Sequence, residues 1–326
     1  MVDIPNFNPV KAEEYLESHA EKPYFQLLYM RDVLDLGIQN SEYLEKQDRF
    51  LSQKRISRFM NKQLNNGSWL EPGKDGVWSP MHKSTVWTLL FLGYLGVNGL
   101  SLPNIGKAVD YVFATKIHQE EYVFREDHKV WGHFMQCENS MLLRSLLLMG
   151  FGEREDVKRA SFKHLKRIHG KEGLCYYKKG PLKSDRMKLP CGWGLIKDLL
   201  FLNEWPERWK QPEYKKTISS ITRYILSHDL TKADFPRLKQ SVSSKWHALA
   251  YFRSYYADIF ELVEALTPAG KEVRTEIQGL LKSLGSLCQD YVTWICGITP
   301  TWRIQLEKLQ EPSPWLTIKG LKLSNL

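Results

Sequence analysis

The sequence predicts an all-α protein, an (α/α)6 toroid of six inner and about six outer helices. Two observations predict it: amphipathic and almost wholly apolar helical segments alternate along the chain, and the apolar segments begin at similar intervals. A helix without a polar face must be covered on both sides, so we expect the apolar helices inside and the amphipathic helices outside. An open solenoid is the alternative, but it should carry distinctive polar end repeats. We assign residues 1–326 to a single domain.

The two kinds of helix are recognised by the spacing of their apolar residues. Ile105, Val109 and Val112 follow one another at helical spacing and leave the opposite face polar, which is typical of an outer helix. The predicted inner helices lack such a polar face. They are Tyr24–Leu34, Thr85–Leu95, Met141–Met149, Leu195–Leu202, Tyr255–Leu266 and Trp315–Leu323.

Punctuation between the segments agrees with this pattern. Pro103 stands at a helix start, and Gly96 and Gly150 stand where helices should end. The connections over residues 67–83, 118–136 and 170–190 are long, and long loops in a compact domain often carry function.

Composition narrows the class of protein. Hydrophobic residues make up 43% and charged residues 25% of the chain, and no apolar run reaches the roughly 20 residues of a membrane span. The first residues resemble no secretory signal, so the sequence predicts a soluble, cytoplasmic protein without disulfides. The net charge of +9 is compatible with a peripheral membrane contact. Without a nucleic-acid-binding motif, we interpret that charge as a solvated basic surface rather than a nucleic-acid site.

A short motif ends the second outer helix. Gln63, Gly67 and Trp69 have the spacing Gln, three residues, Gly, one residue, Trp. The Gln amide can cap the helix end and bridge to the next repeat, the Gly permits a left-handed turn, and the Trp ring packs on the turn. His169 and Cys175 stand at the same offsets as the Gln and the Trp after a later outer helix, with a Gly between them.

This pattern resembles the repeat superfamily of squalene and other terpenoid cyclases and of protein prenyltransferase β-subunits, whose QW motif is similar to Gln63–Trp69. The segments Ser79–Trp87 and Cys137–Leu142 look like inner-helix starts of uncharacterised prokaryotic members. The resemblance implies an (α/α)6 barrel whose aromatic-lined cavity holds an isoprenoid. The length suits the single-toroid prenyltransferase subunit better than the two toroids usual in cyclases.

The chain departs from the characterised enzymes of this superfamily. It has no Asp-x-Asp-Asp run to protonate an alkene or epoxide, and no Asp-Asp-x-x-Asp cluster to bind magnesium diphosphate. Both departures put proton-initiated and ionisation-initiated cyclisation in doubt.

The prenyltransferase comparison implies a zinc ion near the inner-helix starts, where it lowers the pKa of a thiol nucleophile. The candidate ligands are Cys137, Cys175, Cys191 and His133, with Asp185 as an oxygen alternative. Three independent core cysteines are the competing interpretation, since free cysteine is among the most buried residue types.

Further candidates surround the implied cavity mouth. Lys178, Lys179, Lys183 and Arg186 form a basic loop that could hold a diphosphate or could simply be solvated. Aromatic rings stabilise carbocations and also serve ordinary packing. The candidate rings are Trp69, Trp87, Trp193, Tyr255 and Tyr256.

By position, Asp258 and His82 are the candidate catalytic acid and base, although Asp258 could instead cap a helix or pair with a lysine. The resemblance thus implies an isoprenoid-handling enzyme in which cysteine-bound zinc or a rim acid drives prenyl transfer or cyclisation, and the likeness to prenyltransferases also implies a helical partner subunit. The alternative is a non-catalytic toroid that binds a lipid or a protein partner.

Overall fold

The structure is a computed structural model that describes residues 3–19, 22–75, 83–115, 117–118, 121–122, 136–170, 190–230, 246–252, 256–269, 271–297 and 306–325. These residues are mostly helical, as the sequence predicts. In chain order the helices are α1 (Pro9–Glu17), α2 (Pro23–Asp32), α3 (Ser41–Ser52), α4 (Lys54–Met60), α5 (Thr85–Tyr94), α6 (Pro103–Thr115), α7 (Gln136–Leu148), α8 (Glu155–His169), α9 (Gly192–Glu204), α10 (Pro212–Leu226), α11 (Ile259–Leu266), α12 (Lys271–Glu276), α13 (Gln278–Ser286) and α14 (Pro314–Asn325).

Each of the six apolar segments contains one helix, namely α2, α5, α7, α9, α11 or α14. The apolar segments begin later than the helix at α7 and α9 and earlier at α11. Helix α9 begins at Gly192 rather than Leu195. Helix α7 begins at Gln136, within one residue of the start that Cys137–Leu142 indicated, whereas its apolar segment begins only at Met141 because the first turn consists of buried polar residues. Helix α11 begins at Ile259 rather than Tyr255, because Asp258 is extended and caps the helix start.

The six apolar helices contact one another in chain order. Helix α5 packs on α7, α7 on α9, α9 on α11, α11 on α14, and α14 on α2. Between α2 and α5, the Arg31 guanidinium donates hydrogen bonds to the carbonyl oxygens of Gly93 and Tyr94, over 3.1 and 3.4 Å. The last apolar helix therefore contacts the first.

A glycine allows α5 and α7 to approach each other closely. A Cβ atom on Gly93 of α5 would lie 2.1 Å from the Ser145 Oγ of α7 and 2.6 Å from the Ser145 carbonyl oxygen. The Ser145 hydroxyl donates a hydrogen bond to the Leu89 carbonyl, over 2.8 Å. Only glycine allows this approach, so Gly93 sets the distance between α5 and α7.

The other helices cover the apolar ones. Helix α1 contacts α14, α3 contacts α2 and is continued by α4, α6 contacts α5, α8 contacts α7, α10 contacts α9, and α13 contacts α11. The amphipathic character of α8 and α10 follows from buried aliphatic residues on one face and charged residues on the other. Neighbouring covering helices α8 and α10 also contact each other.

Short strands occur at two places. Strands β1 (Ile117–His118) and β2 (Glu121–Tyr122) pair antiparallel, as do β3 (Cys288–Gln289) and β4 (Thr293–Trp294). Among the residues that the structure describes, no helix is both long and apolar enough to span a bilayer.

Candidate functional site

The Gln-Gly-Trp turn joins two covering helices. The Gln63 side-chain amide donates to the Gly67 carbonyl over 2.8 Å and to the Asn104 carbonyl, at the start of α6, over 2.7 Å. Gly67 has φ +91°, and a Cβ atom there would lie 2.3 Å from the Lys107 carbonyl oxygen. The Trp69 ring stacks on Phe59 with centroids 5.8 Å apart. The side chains thus make the bridging contact that their spacing predicts.

A similar bridge follows α8. The His169 ring, which takes the place of the glutamine, lies 3.1 Å through Nδ1 from the Thr217 hydroxyl of α10. Both bridges join the end of one covering helix to the next covering helix. Cys175, the counterpart of the tryptophan, lies outside the described residues.

Two of the predicted zinc ligands lie at the starts of neighbouring apolar helices. Cys137 is in the first turn of α7, and Cys191 immediately precedes α9. Burial raises the pKa of the Cys191 thiol to about 12, and the nearby Cys137 contributes to that rise, against smaller lowering by the backbone N–H groups of Gly194 and Trp193. The Cys191 thiol is therefore protonated at neutral pH unless a metal or cation binds it.

The other zinc candidates, His133, Cys175 and the alternative Asp185, lie outside the described residues. Within the described ranges, no group of three or more His, Cys, Asp or Glu side chains is arranged to hold a metal ion. His82 and Tyr255 and the basic-loop residues Lys178, Lys179, Lys183 and Arg186 also lie outside the described part of the chain.

The predicted aromatic residues separate into two groups. Trp193 and Tyr256 meet edge to face, with ring centroids 4.6 Å apart, and Trp246 lies 6.3 Å from Trp193. Trp246 had no recognisable motif in the sequence. Trp69 and Trp87 lie buried instead within the apolar core formed with α5.

Asp258 is a helix cap in this structure. Its carboxylate accepts hydrogen bonds from the backbone N–H groups of Glu261, over 3.1 Å, and Ala250, over 3.4 Å, and it is fully buried. The carboxylate therefore caps α11 by accepting from a backbone N–H group of its first turn, which has no acceptor within the helix. The predicted location of Asp258, one turn into a helix, was wrong.

A chain of buried polar side chains, missed in the sequence, joins α7, α8 and α9. The Gln136 amide donates to Asp198 over 2.5 Å, the Ser140 hydroxyl donates to the same carboxylate, and His164 Nε2 lies 2.7 Å from the Ser140 oxygen. Because Ser140 gives its hydrogen to Asp198, His164 must donate to Ser140. A serine nucleophile needs a histidine that accepts its proton, so this arrangement suits a structural link better than acyl transfer.

Glu138, also in the first turn of α7, is an unusual carboxyl group. It is 4% exposed, and neither of its side-chain oxygens has a hydrogen-bond partner in the described part of the structure. Burial raises its pKa well above the ordinary value, and the neighbouring Cys137 contributes. Glu138 is therefore held towards its neutral form.

An ion-pair network connects the carboxyl-terminal halves of the apolar helices. Its members are Arg31, Asp32, Arg144, Glu204, Glu264 and Lys322. Arg144 Nη2 lies 2.7 Å from Glu264, and the Lys322 ammonium lies 3.0 Å from Glu264 and 3.5 Å from Asp32.

The network reaches all six apolar helices, since Arg31 also bonds the carbonyl oxygens at the end of α5. Burial raises the pKa of Asp32, but Arg31 and Lys322 outweigh it and lower that pKa to about 2. Nothing in a hydrophobic pattern signals this network, because its members lie singly within apolar segments.

A separate buried ion pair links α9 to α11. The Lys197 ammonium lies 2.7 Å from each carboxylate oxygen of Glu261, and the two residues are 1% and 2% exposed. Burial lowers the pKa of Lys197 more than the attraction of Glu261 raises it. The attraction of Glu261 therefore offsets only part of the free energy that the lysine ammonium loses when it is removed from water.

Comparison with protein-family models, with curated proteins and with solved structures found no match.

Proposed function

We propose that the chain is an (α/α)6 toroid and that the apolar helices form its inner ring. The support is the order of contacts: each apolar helix touches the next, the last touches the first, and each touches a covering helix. The bridges from Gln63 and His169 between successive covering helices fit the same arrangement. In a solenoid the first and last repeats would be apart.

We propose further that this ring handles an isoprenoid and catalyses prenyl transfer or cyclisation. One observation carries this proposal: two thiols, Cys137 and Cys191, that lie close enough to influence each other, and the Trp193 ring, which meets Tyr256 edge to face, all lie near the starts of neighbouring apolar helices. Aromatic faces suit both a prenyl chain and a developing carbocation. The resemblance of Gln63–Trp69 to the QW motif supports the same assignment.

The ion-pair network confines the substrate to the amino-terminal half of the ring. Arg144 stands seven residues, about 10 Å along the helix, after Cys137 and on the same helical face. Its guanidinium is paired with Glu264 and lies over the Tyr94 ring, 5.3 Å from the centroid. An apolar chain would gain nothing by displacing these charges, so the prenyl chain would end above Arg144.

Zinc is the proposed cofactor. Cys137 and Cys191 would hold it, because their thiols lie close enough to influence each other, and Cys175 and His133 would supply the remaining ligands. When bound, zinc would convert a coordinated thiol to the thiolate. The resemblance to prenyltransferase β-subunits also leads us to propose a helical partner subunit.

Metal analysis tests the cofactor. We expect near-stoichiometric zinc in the purified protein and its loss in Cys137→Ser and Cys191→Ser. Cys288→Ser is the matched control, because this cysteine lies in β3, away from the helix starts. Zinc that survives both substitutions, or zinc that also disappears in the control, contradicts a shared site.

Lipid analysis tests the substrate class. We expect mass spectrometry of an organic extract of the purified protein to detect a bound isoprenoid, and Trp193→Ala to reduce its amount. An extract without any lipid opposes the cavity. A bound lipid without turnover of prenyl diphosphates favours the second candidate, a non-catalytic lipid-binding toroid. The capping role of Asp258 supports this candidate, because it occupies the predicted catalytic acid with a structural task.

A further inference from the structure

Helices α8 and α10 together present a one-sided charge on the outside of the molecule. After their first turns, neither helix contains an acidic residue. Lys158 pairs with Glu153 over 2.8 Å. The two helices carry seven more cations, Arg159, Lys163, Lys166 and Arg167 on α8 and Lys215, Lys216 and Arg223 on α10. Among them, Arg159, Lys163 and Arg167 also have interaction partners.

The packing of the two helices directs these cations outward. Val157, Leu165 and Ile168 of α8 are fully buried, as are Ile221 and Ile225 of α10. The two helices contact each other, and His169 of α8 lies 3.1 Å from the Thr217 hydroxyl of α10, so we group their exposed cations as the basic face. Five of its cations are exposed and the other two, on α8, are partly exposed.

The basic face also has apolar features. Phe162 is 36% exposed, and the Lys166 ammonium lies 4.2 Å from the centroid of its ring. A groove of about 710 Å³ runs beside α10, with Lys215 and Arg223 among its lining residues. Its apolar lining comes from Ile218, Leu226, Pro268 and Val273.

We infer that the basic face docks on an anionic lipid bilayer. Cations near such a surface each raise the partition coefficient roughly fivefold, and an aromatic ring flanked by lysine suits the headgroup region. The apolar groove beside the cations could take part of a lipid chain, whereas the phosphate backbone of a nucleic acid would engage the cations alone. The inference complements the proposed function, since a bilayer would be the source of a lipid substrate, but it does not require the zinc site.

Vesicle co-sedimentation tests the basic face. We expect the full chain to sediment with mixed phosphatidylcholine–phosphatidylserine vesicles but not with pure phosphatidylcholine vesicles. Binding to the mixed vesicles should weaken as added salt screens the charges. Lys166→Glu combined with Lys216→Glu should weaken binding at least about 25-fold, from two lost contributions of roughly fivefold each. The control pair Lys54→Glu and Arg58→Glu changes the net charge equally from exposed positions on α4 and should weaken binding far less.

Three outcomes would overturn the inference: no binding to anionic vesicles, equal weakening by both pairs of substitutions, or binding of a short nucleic-acid duplex that depends on Lys166 and Lys216 while vesicles do not bind. The salt titration of the unmodified chain gives a second measurement if a variant does not fold. Because the zinc and lipid-extract measurements are made without vesicles, they separate failure of the proposed function from failure of this surface.

Discussion

The buried pair Lys197–Glu261 offers the sharpest test of the interior electrostatics. We expect Lys197→Met to destabilise the protein strongly, because it leaves the Glu261 carboxylate buried without its closest cation. We expect the double variant Lys197→Met with Glu261→Leu to be close to the wild type in stability, or above it. The double change removes both charges and fills a similar volume with apolar atoms.

The magnitudes follow from the contacts. Removing one partner of a buried pair costs about 3–5 kcal/mol, and the lower end applies here because Arg144 also attracts Glu261. The lowered pKa of Lys197 indicates that burial costs its charged form more than pairing returns. The double variant should therefore lie between unchanged and about 2 kcal/mol more stable.

Urea unfolding at neutral pH, monitored by tryptophan fluorescence, measures all four members of the cycle. The two single changes should fail to add, with a coupling free energy of at least about 3 kcal/mol. A pH series gives an independent check. Since the unfolded chain binds more protons than the folded protein below the ordinary lysine pKa of 10.5, wild-type stability should rise towards that pH relative to the double variant. A double variant as unstable as the sum of the single variants would refute this reasoning.

Three further predictions concern named contacts. Gly93→Ala should lower the free energy of unfolding by at least about 1–3 kcal/mol, because the new Cβ meets the Ser145 backbone. In the same urea assay the control Gly106→Ala, whose Cβ meets nothing within 4 Å, should be neutral or stabilising. Equal effects of the two substitutions would contradict this. Gln63→Ala should cost about 1–3 kcal/mol through two unpaired carbonyl groups, and Gln63→Glu, which lacks the donor, should not rescue it. Glu138→Gln should exceed the wild type in melting temperature by an amount that grows as pH rises from 4.5, because the unfolded chain then releases the carboxyl proton that the folded protein keeps, which lowers wild-type stability. A difference that does not change with pH would contradict this.

Much of the helical layout could be predicted from the sequence, because a helix without a polar face and a helix with one have different apolar spacing. The starts of α7 and α11 could not be predicted from apolar spacing. Gln136, Glu138 and Ser140 are polar yet buried, so the first turn of α7 looks like a loop to any hydrophobic pattern. Asp258 looked like a residue within a helix because the apolar run continues on both sides of it.

The site was only partly predictable for a related reason. The neighbourhood of Cys137 and Cys191 followed from the repeat, since equivalent positions of successive hairpins lie side by side. Asp198 and His164 come from different helices and carry no local motif, so their link through Ser140 is visible only in three dimensions. The same holds for Trp246 beside Trp193.

The position of Lys322 along the chain has a consequence for synthesis on the ribosome. This lysine lies in α14, yet it pairs with Asp32 of α2 and with Glu264 of α11. A nascent chain therefore holds both carboxylates without this cation until α14 has emerged. We expect the region around the two carboxylates to stay hydrated until then, and α14 to expel the water as it docks.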